Sequence, residues 1–522
     1  MGDRTVHDRR WWILGTLVLS LLIVVLDNTI LNVALKTIQQ DLAATQSELA
    51  WAVNAYTLVF AGLLFTYGVL GDRYGRRLAL VVGLVLFGLA SLLTAFSPSP
   101  EALIVGRAFM GIGSAAVMPS TLSIISNIFE ADERGKAIGI WAGFAGLAVA
   151  VGPITGGLLL EHFWWGSVFL INVPVVLLAV AAILWIVPES KDPSSQRLDP
   201  LGVVLSIVGL VLLVYGITKG GETTQWGSAV VLGPLLSGLA VLAVFVVLQR
   251  RTAAPMLDVT LFRNPAFAAA CGAVTLVMFA LFGTVFFLSF YLQYARGFSP
   301  LEAGLTFLPV ALAMSFFAPR SARLVSRYGA KTVCAVGLSL VTVSFSGYHF
   351  VGADTPVAVL AVLLFLQGAG MANVVAPATE SIMSTLPRER AGAGAAVNTT
   401  VRQVGGALGV AVLGSILSAS YRAGITPSLE AISLPGLSRQ ARELAAESIG
   451  GTQLAAEQLP AAARVALELA GTQAFVDAMH TTALGSALFA ALGVFVILRW
   501  LPGRPVADPA LVPAEREPVT VG

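Results

Sequence analysis

Asp27 stands inside an otherwise apolar run from Trp11 to Leu35, with Asn28 and Asn32 on adjoining positions. An ionised carboxylate at the centre of a membrane helix costs roughly 2.5–3.5 kcal/mol, so a residue of this kind needs a reason to be there. A carboxyl that sheds its charge when enclosed and regains it when water arrives can tie proton movement to a change of shape. That role needs a water-reachable hollow. The alternative is a structural Asp bonded to Asn28, Asn32 or a neighbouring helix. Arg107 is a second charge within an apolar run, tolerated where it faces a cavity, a partner or backbone carbonyls. Arg402 is a third, placed either to attract an anionic or polar substrate or to brace helix ends. Glu380 lies near the end of its run, where a long side chain reaches water.

Other residues suggest a binding surface. Phe279, Phe282, Phe286, Phe290 and Tyr294 recur at helical spacing. Such a stripe can line a cavity for flat rings and cations, or pack on lipid and neighbouring helices. Asn28, Asn32, Asn54, Tyr56, Met110, Met118, Asn398 and Gln403 are further cavity candidates. Gly139, Gly143, Gly146, Gly152, Gly156 and Gly157 surround Pro153 in one run. This pattern allows close helix approach and a bend, serving either a hinge or static packing.

Enzyme chemistry finds little support. His7, His162, His349 and His480 are scattered, and no phosphate-binding loop of the GxxxxGK[ST] type occurs. Cys271 and Cys334 both sit in apolar runs, so neither a disulfide framework nor a thiolate metal site is expected. No cofactor or metal is expected, and ATP-driven transport is excluded for this chain alone. A channel would show a polar pore ring; none is found.

The elements that carry these residues follow from composition. Hydrophobic residues make up 57% of the 522, mean hydropathy is +0.84, and only 11% are charged, against about 25% in a soluble domain. That excludes a soluble enzyme, a nucleic-acid-binding protein and a disordered scaffold, and the net charge of +2 suggests no polyanionic partner. The chain reads as an all-α polytopic membrane protein. Runs of about 20 apolar residues predict fourteen spans: 12–35, 49–70, 78–96, 101–126, 137–160, 166–187, 200–218, 228–249, 266–294, 302–319, 332–350, 356–383, 394–420 and 481–501. The first is too long for a signal peptide and is followed by many more. With an even count, 22 of the Lys and Arg residues fall on the face that holds the termini and 7 on the other. The positive-inside rule then places both termini in the cytoplasm. Residues 188–199 form a polar cytoplasmic linker, and 421–480 a long outer loop with helix-like pieces such as Ser438 to Ser448, read as a solvated tether in preference to a packed cap.

Asp72-Arg73-Tyr74-Gly75-Arg76-Arg77 recurs as Ser326-Arg327-Tyr328-Gly329-Ala330-Lys331, displaced by 254 residues and each time between the second and third span of its half. Parallel halves with a substrate held between them characterise one class of secondary transporter. The repeat divides the chain into a six-span bundle over 1–187, a linker with two inserted spans over 188–265, a six-span bundle over 266–501 including the outer loop, and a cytoplasmic tail over 502–522.

These motifs resemble the major facilitator superfamily, and within it the fourteen-span drug:proton antiporter branch. Leu26-Asp27-Asn28-Thr29-Ile30-Leu31-Asn32-Val33-Ala34-Leu35 is similar to that branch's first-span signature, with Lys36 where Pro is usual. Gly68-Val69-Leu70-Gly71 followed by Asp72 to Arg77 resembles the superfamily loop. Arg107 with Gly111 and Gly113 resembles the fourth-span pattern, Met110 replacing Gln. Gly152-Pro153-Ile154-Thr155-Gly156-Gly157 resembles the antiporter motif, with Ala148 where Gly is expected, and Arg402-Gln403-Val404-Gly405-Gly406 resembles the penultimate span. The resemblance covers nearly the whole chain. It implies the major facilitator fold, a proton-coupling role for Asp27 with Arg107 beside it, and a cytoplasmic latch of Gly68, Asp72, Arg73, Gly75, Arg76 and Arg77 in which Asp72 meets Arg134 or a facing helix end. It also implies a role in transport direction for Gly152, Pro153, Gly156 and Gly157. Met118-Pro119-Ser120 and Leu160-Glu161-His162 resemble exporters of quaternary ammonium compounds, dyes and fluoroquinolones, although Asn54, Met314, Asn398, Thr399 and Gln403 stand where such exporters often have acids. The implied function is proton-coupled export of hydrophobic small molecules across the plasma membrane by a monomer; the nearest rival is export of a lipid or self-made metabolite, and a membrane-embedded enzyme is remote.

Overall fold

The structure, a computed structural model, describes residues 2–191, 199–252, 255, 257–384, 391–431 and 437–501. The chain opens with α1 (Gly2–Leu42), α2 (Gln46–Tyr74) and α3 (Arg76–Ala95). The next crossing is broken at Ala115–Ala116 into α4 (Pro100–Ser114) and α5 (Val117–Ile128), and α6 (Ala131–His162) follows it. The sixth is split again, into α7 (Ser167–Leu170) and α8 (Asn172–Ile186). Pro174 has no N–H to return to Leu170, which loosens the helix there. An inserted pair, α9 (Pro200–Thr223) and α10 (Ala229–Arg251), leads through a 3-10 turn (Val259–Arg263) to α11 (Pro265–Phe290), which widens into a π-helical turn (Tyr291–Ala295). The remaining elements are α12 (Pro300–Thr306), α13 (Leu308–Tyr328), α14 (Ala330–Tyr348), α15 (Val357–Ser384), α16 (Ala391–Ala431), α17 (Arg439–Glu447), α18 (Ile449–Ala456) and α19 (Ala461–Trp500). The described residues contain helices and no strand.

Thirteen of these crossings are long and apolar enough to span a bilayer among the described residues. The remaining expected span, 137–160, falls on α6, many of whose side chains lie outside the described set. Trp12, Leu93, Trp185 and Phe350 are each more than 70% exposed on the rim, an apolar belt that only lipid can satisfy.

The internal repeat extends beyond the Arg-Tyr-Gly match. α2 starts with a capping box in which Thr45 and Glu48 exchange hydrogen bonds, and α12 starts with the same box from Ser299 and Glu302, again 254 residues on. Gly75 and Gly329 both adopt positive φ, joining α2 to α3 and α13 to α14 without an intervening loop. Helix pairings recur too: α1 packs on α6 and α8, α3 on α4 and α8, just as α11 packs on α16 and α19, and α14 on α15 and α19.

The inserted pair is not peripheral throughout. α9 wedges against both α2 and α16, where Leu58, Val214, Ala407 and Ala411 form a small buried cluster and Ser415 donates to the Ile217 carbonyl at 3.0 Å. α10 packs mainly on α9 and turns Val230, Leu236, Leu239 and Val244 outward.

The expected loop 421–480 is mostly helix. α16 continues to Ala431, and α19 begins at Ala461, twenty residues before the expected span. Residues 461–480 are rich in Ala and Leu, good helix formers, and bury Leu467, Phe475 and Met479. Between them, α17 and α18 bury Ala445, Ile449, Ala455 and Ala456, with Leu459 buried just after α18, so the segment is a packed cap and not a solvated tether. Below, the cap face is the one that carries α17 and α18, and the basic face is the one that carries Arg73, Arg76 and Arg77.

Candidate functional site

Asp27 lies midway along α1 and Arg107 midway along α4. The two meet fully buried, with Arg107 Nη1 donating to Asp27 Oδ2 at 2.6 Å. Arg107 Nε donates to the Ala52 carbonyl at 3.1 Å, and the guanidinium sits 4.3 Å from the centre of the Tyr56 ring, a cation–π contact. Met110 Sδ lies 4.0 Å from Arg107 Nη1. The second carboxylate oxygen, Oδ1, accepts from Asn172 Nδ2 at 2.9 Å, and the same amide donates to Ser91 Oγ at 3.0 Å. Ser91 passes the chain on to the Phe169 carbonyl at 2.8 Å. The sequence reading expects a carboxylate next to a water-reachable hollow. In this conformer Asp27 has no exposed surface. The reason is the partner set: a guanidinium, an amide and a tyrosine ring close around it from three other helices. Asn172 escaped sequence reasoning, although an Asn directly before Val173-Pro174 in an apolar run was the available signal.

The basic loop forms a compact hydrogen-bonded turn. Asp72 Oδ1 accepts from Arg76 Nε at 2.8 Å, one helical turn on, while Arg134, its expected partner, lies outside the described side chains. Glu189, just past α8, accepts from the backbone N–H groups of Arg77 at 3.0 Å and Leu78 at 3.2 Å. A carboxylate thereby caps the positive N-terminal end of α3. Gly75 is required there: its φ is +132°, and a Cβ would press into the Glu189 carboxylate. Arg73 lies over the Tyr74 ring, and Gly68 faces Pro119 with room to spare.

The Gly-Pro run does two packing jobs. At Gly152 and Gly156 a Cβ would strike Thr29 and Ile30, the α1 residues just beyond Asp27; at Gly157 it would strike the backbone of Leu301 in α12. Gly304 of α12 packs equally closely on the Pro153 carbonyl. One stretch of α6 therefore touches both the helix that carries Asp27 and the opposite half. Side-chain hydrogen bonds between the halves gather at the cap face: Lys36 Nζ donates to the Gln293 carbonyl at 2.6 Å, Gln293 Nε2 to the Val33 carbonyl at 3.0 Å, and Tyr294 Oη to Gln39 Oε1 at 3.0 Å. Gln39 also donates to Ser448 Oγ in the cap at 3.1 Å.

A sequence profile described as the Major Facilitator Superfamily matches residues 17–410. The chain belongs to the Major Facilitator Superfamily. Among this superfamily member's relatives, the "Multidrug efflux pump LfrA" of Mycolicibacterium smegmatis is 36% identical, covering 94% of this chain and 96% of that protein. The "Methyl viologen resistance protein SmvA" of Salmonella typhimurium is 36% identical over 92% of this chain and 95% of its own. The "Tetracenomycin C resistance and export protein" of Streptomyces glaucescens is 35% identical over 79% of this chain and 77% of its own. A solved bacterial homologue of the human lysosomal transporter Spinster superposes with a TM-score of 0.63 at 16% identity, covering 94% of this chain and 98% of that one, which supports the fold alone.

The other residues expected in a cavity of this superfamily member are dispersed. Asn54 is fully buried and neither amide atom has a hydrogen-bond partner; Asn28 Oδ1 is likewise unpartnered. Asn32 donates to the Asn28 carbonyl at 3.3 Å. In the second half Thr379 donates to Asn398 at 3.3 Å, and Arg402 and Gln403 are half-buried. Three members of the phenylalanine stripe are packing residues in this conformer: Phe279 meets Phe489 of α19 at 5.0 Å, and Phe286 meets Phe290 at 5.3 Å. Glycines 409 and 414 bring α16 against Phe279 and Phe286. Phe282 is half-buried against Gly406, and Met118 is half-buried.

Proposed function

We propose that this superfamily member is a proton-coupled antiporter that exports hydrophobic small molecules such as antibiotics, dyes or biocides by rocker-switch alternation. The observation that carries the reading is the Asp27–Arg107 pair on α1 and α4, sealed from water in this conformer, and the reading requires the alternate conformer of the cycle to open Asp27 to water. A buried ion pair is a poor stabiliser, because desolvation offsets most of its attraction. A proton delivered to Asp27 removes one charge, weakens the hold on Arg107 and frees α1 to move. α6, which touches both Thr29–Ile30 and α12, carries that movement to the opposite half. Proton entry down the membrane potential supplies about 2.3 kcal/mol per charge per 100 mV. The names of three relatives, two of them resistance proteins and one a multidrug pump, support the cargo class.

In this reading the basic face and both termini are cytoplasmic, in keeping with the lysine and arginine bias. The bodies that rock are residues 1–187 and 266–501, the inserted pair rides between them, and a monomer suffices. Cargo binds between the halves near Asn54, Phe282, Asn398, Arg402 and Gln403. The test is export of ethidium from proteoliposomes driven by a pH gradient. Asp27→Asn keeps an oxygen for Arg107 and is expected to abolish gradient-driven export while the protein remains monodisperse. Undiminished coupled export by that variant would refute the assignment.

A further inference from the structure

Among the described residues, Asn172 is the hydrogen-bond donor to Asp27 other than Arg107. Its side chain is 1% exposed. Its Nδ2 group reaches Asp27 Oδ1 at 2.9 Å and Ser91 Oγ at 3.0 Å, using both amide hydrogens. Its Oδ1 is buried without a partner. The two carboxylate oxygens are thus divided: Oδ2 faces the guanidinium and Oδ1 faces a neutral donor held from behind by Ser91 on α3. Ser91 is itself fixed, because its hydroxyl donates to the Phe169 carbonyl. The break between α7 and α8, caused by Pro174, places Asn172 at the first position of α8.

We propose that Asn172 is a positioning residue for the coupling carboxyl: it holds the ionised form of Asp27 and sets the pH at which the proton is released. This rests on the proposed coupling role of Asp27 and adds to it. A donor hydrogen bond to a carboxylate favours the charged form, because a carboxyl that takes up a proton is the weaker acceptor. The second amide hydrogen stays on Ser91 Oγ and holds the amide in orientation, so it receives Asp27 again when the proton leaves. Among the described residues, the charged and titratable groups that face Asp27 are Arg107 from α4 and Tyr56 from α2. Both stay in place when Asn172 is replaced, so a change seen in the variant belongs to the amide.

The experiment is an infrared pH titration of the full chain in lipid, following the carbonyl stretch of protonated carboxyls. The component missing from Asp27→Asn is the Asp27 signal. In Asn172→Leu, which is nearly isosteric and cannot donate, the midpoint of that signal is expected to move to higher pH by about one unit, a tenfold change in proton affinity. Asn172→Asp, which replaces the donor with a second carboxyl, is expected to move it further in the same direction. Should the leucine variant fail to fold, Ser91→Ala removes only the rear anchor of the amide and is expected to give a smaller shift of the same sign. An unmoved midpoint in a folded Asn172 variant overturns the inference and leaves the coupling role of Asp27 intact. Absence of any titrating Asp27 signal in the parent protein would instead overturn the coupling role itself.

Discussion

Arg107 is held by four different kinds of contact: a carboxylate, a backbone carbonyl, a thioether and an aromatic face. Such a site punishes the loss of one partner more than the loss of both. Arg107→Met leaves a buried carboxylate without its counter-charge and is expected to cost about 3–5 kcal/mol in thermal unfolding, whereas the Asp27→Leu/Arg107→Met pair is expected to be close to neutral in stability and inactive in coupled export. A double variant as unstable as the single one would contradict this. The two charges were legible in the sequence because charge in an apolar run is conspicuous. Their partnership, which joins positions 80 residues apart, was legible only through the family resemblance and not from spacing. Asn172 was harder still: a lone amide in a membrane helix is common, and only packing distinguishes one aimed at a carboxylate from one bonded to its own backbone, as Asn32 is.

Among the elements, the cap is where sequence and structure differ most. Apolar-run counting ends a helix where hydropathy falls, yet α16 and α19 run beyond that point, because their protruding turns pack on α17 and α18 respectively and, in α19, alanine and leucine favour the helix. Glu447, the last residue of α17, makes the cap sensitive to pH. Burial is the main cause that pushes its carboxyl above the usual range; Glu222 and Glu48 add to this, and Arg422 and Lys219 oppose it. A carboxyl that binds its proton more tightly in the folded state than in the unfolded one loses stabilisation as pH rises from the ordinary carboxylate range through its raised value. Melting temperature is therefore expected to fall across that window in the parent protein, and the fall is expected to be shallower in Glu447→Gln, with the variant the more stable of the two at neutral pH. Equal slopes would remove Glu447 as the cause. The π-helical turn is a second element that sequence did not reveal. It widens the end of α11, where the Gln293 carbonyl receives Lys36, the residue that departs from the family signature.

At the scale of the whole molecule, the halves are pinned at the cap face through Val33, Lys36 and Gln39 on one side and Gln293, Tyr294 and Ser448 on the other. If the halves rock, these contacts part once per cycle. A cysteine pair at positions 33 and 293 is expected to form a disulfide that stops ethidium export by at least tenfold, with recovery on reduction; full export by the oxidised pair would show that this face never opens. The membrane class was legible from composition, its helical spans from the apolar runs, its fold from the motif resemblance and the repeat from six residues, but the depth of the repeat became visible only when the capping boxes and the positive-φ glycines fell on the same 254-residue register. The place of the inserted pair was not legible, because two uniformly apolar helices carry no mark of what they touch. That place has a consequence for traffic within the bilayer. Two half-molecules meeting face to face leave two lateral slits open to the lipid, and here α9 stands in one of them, gripping α2 and α16 together. In this conformer a greasy solute drifting in the leaflet meets α9 on that flank and α6 packed on α12 and α13 on the other, so entry from the bilayer requires the halves to part.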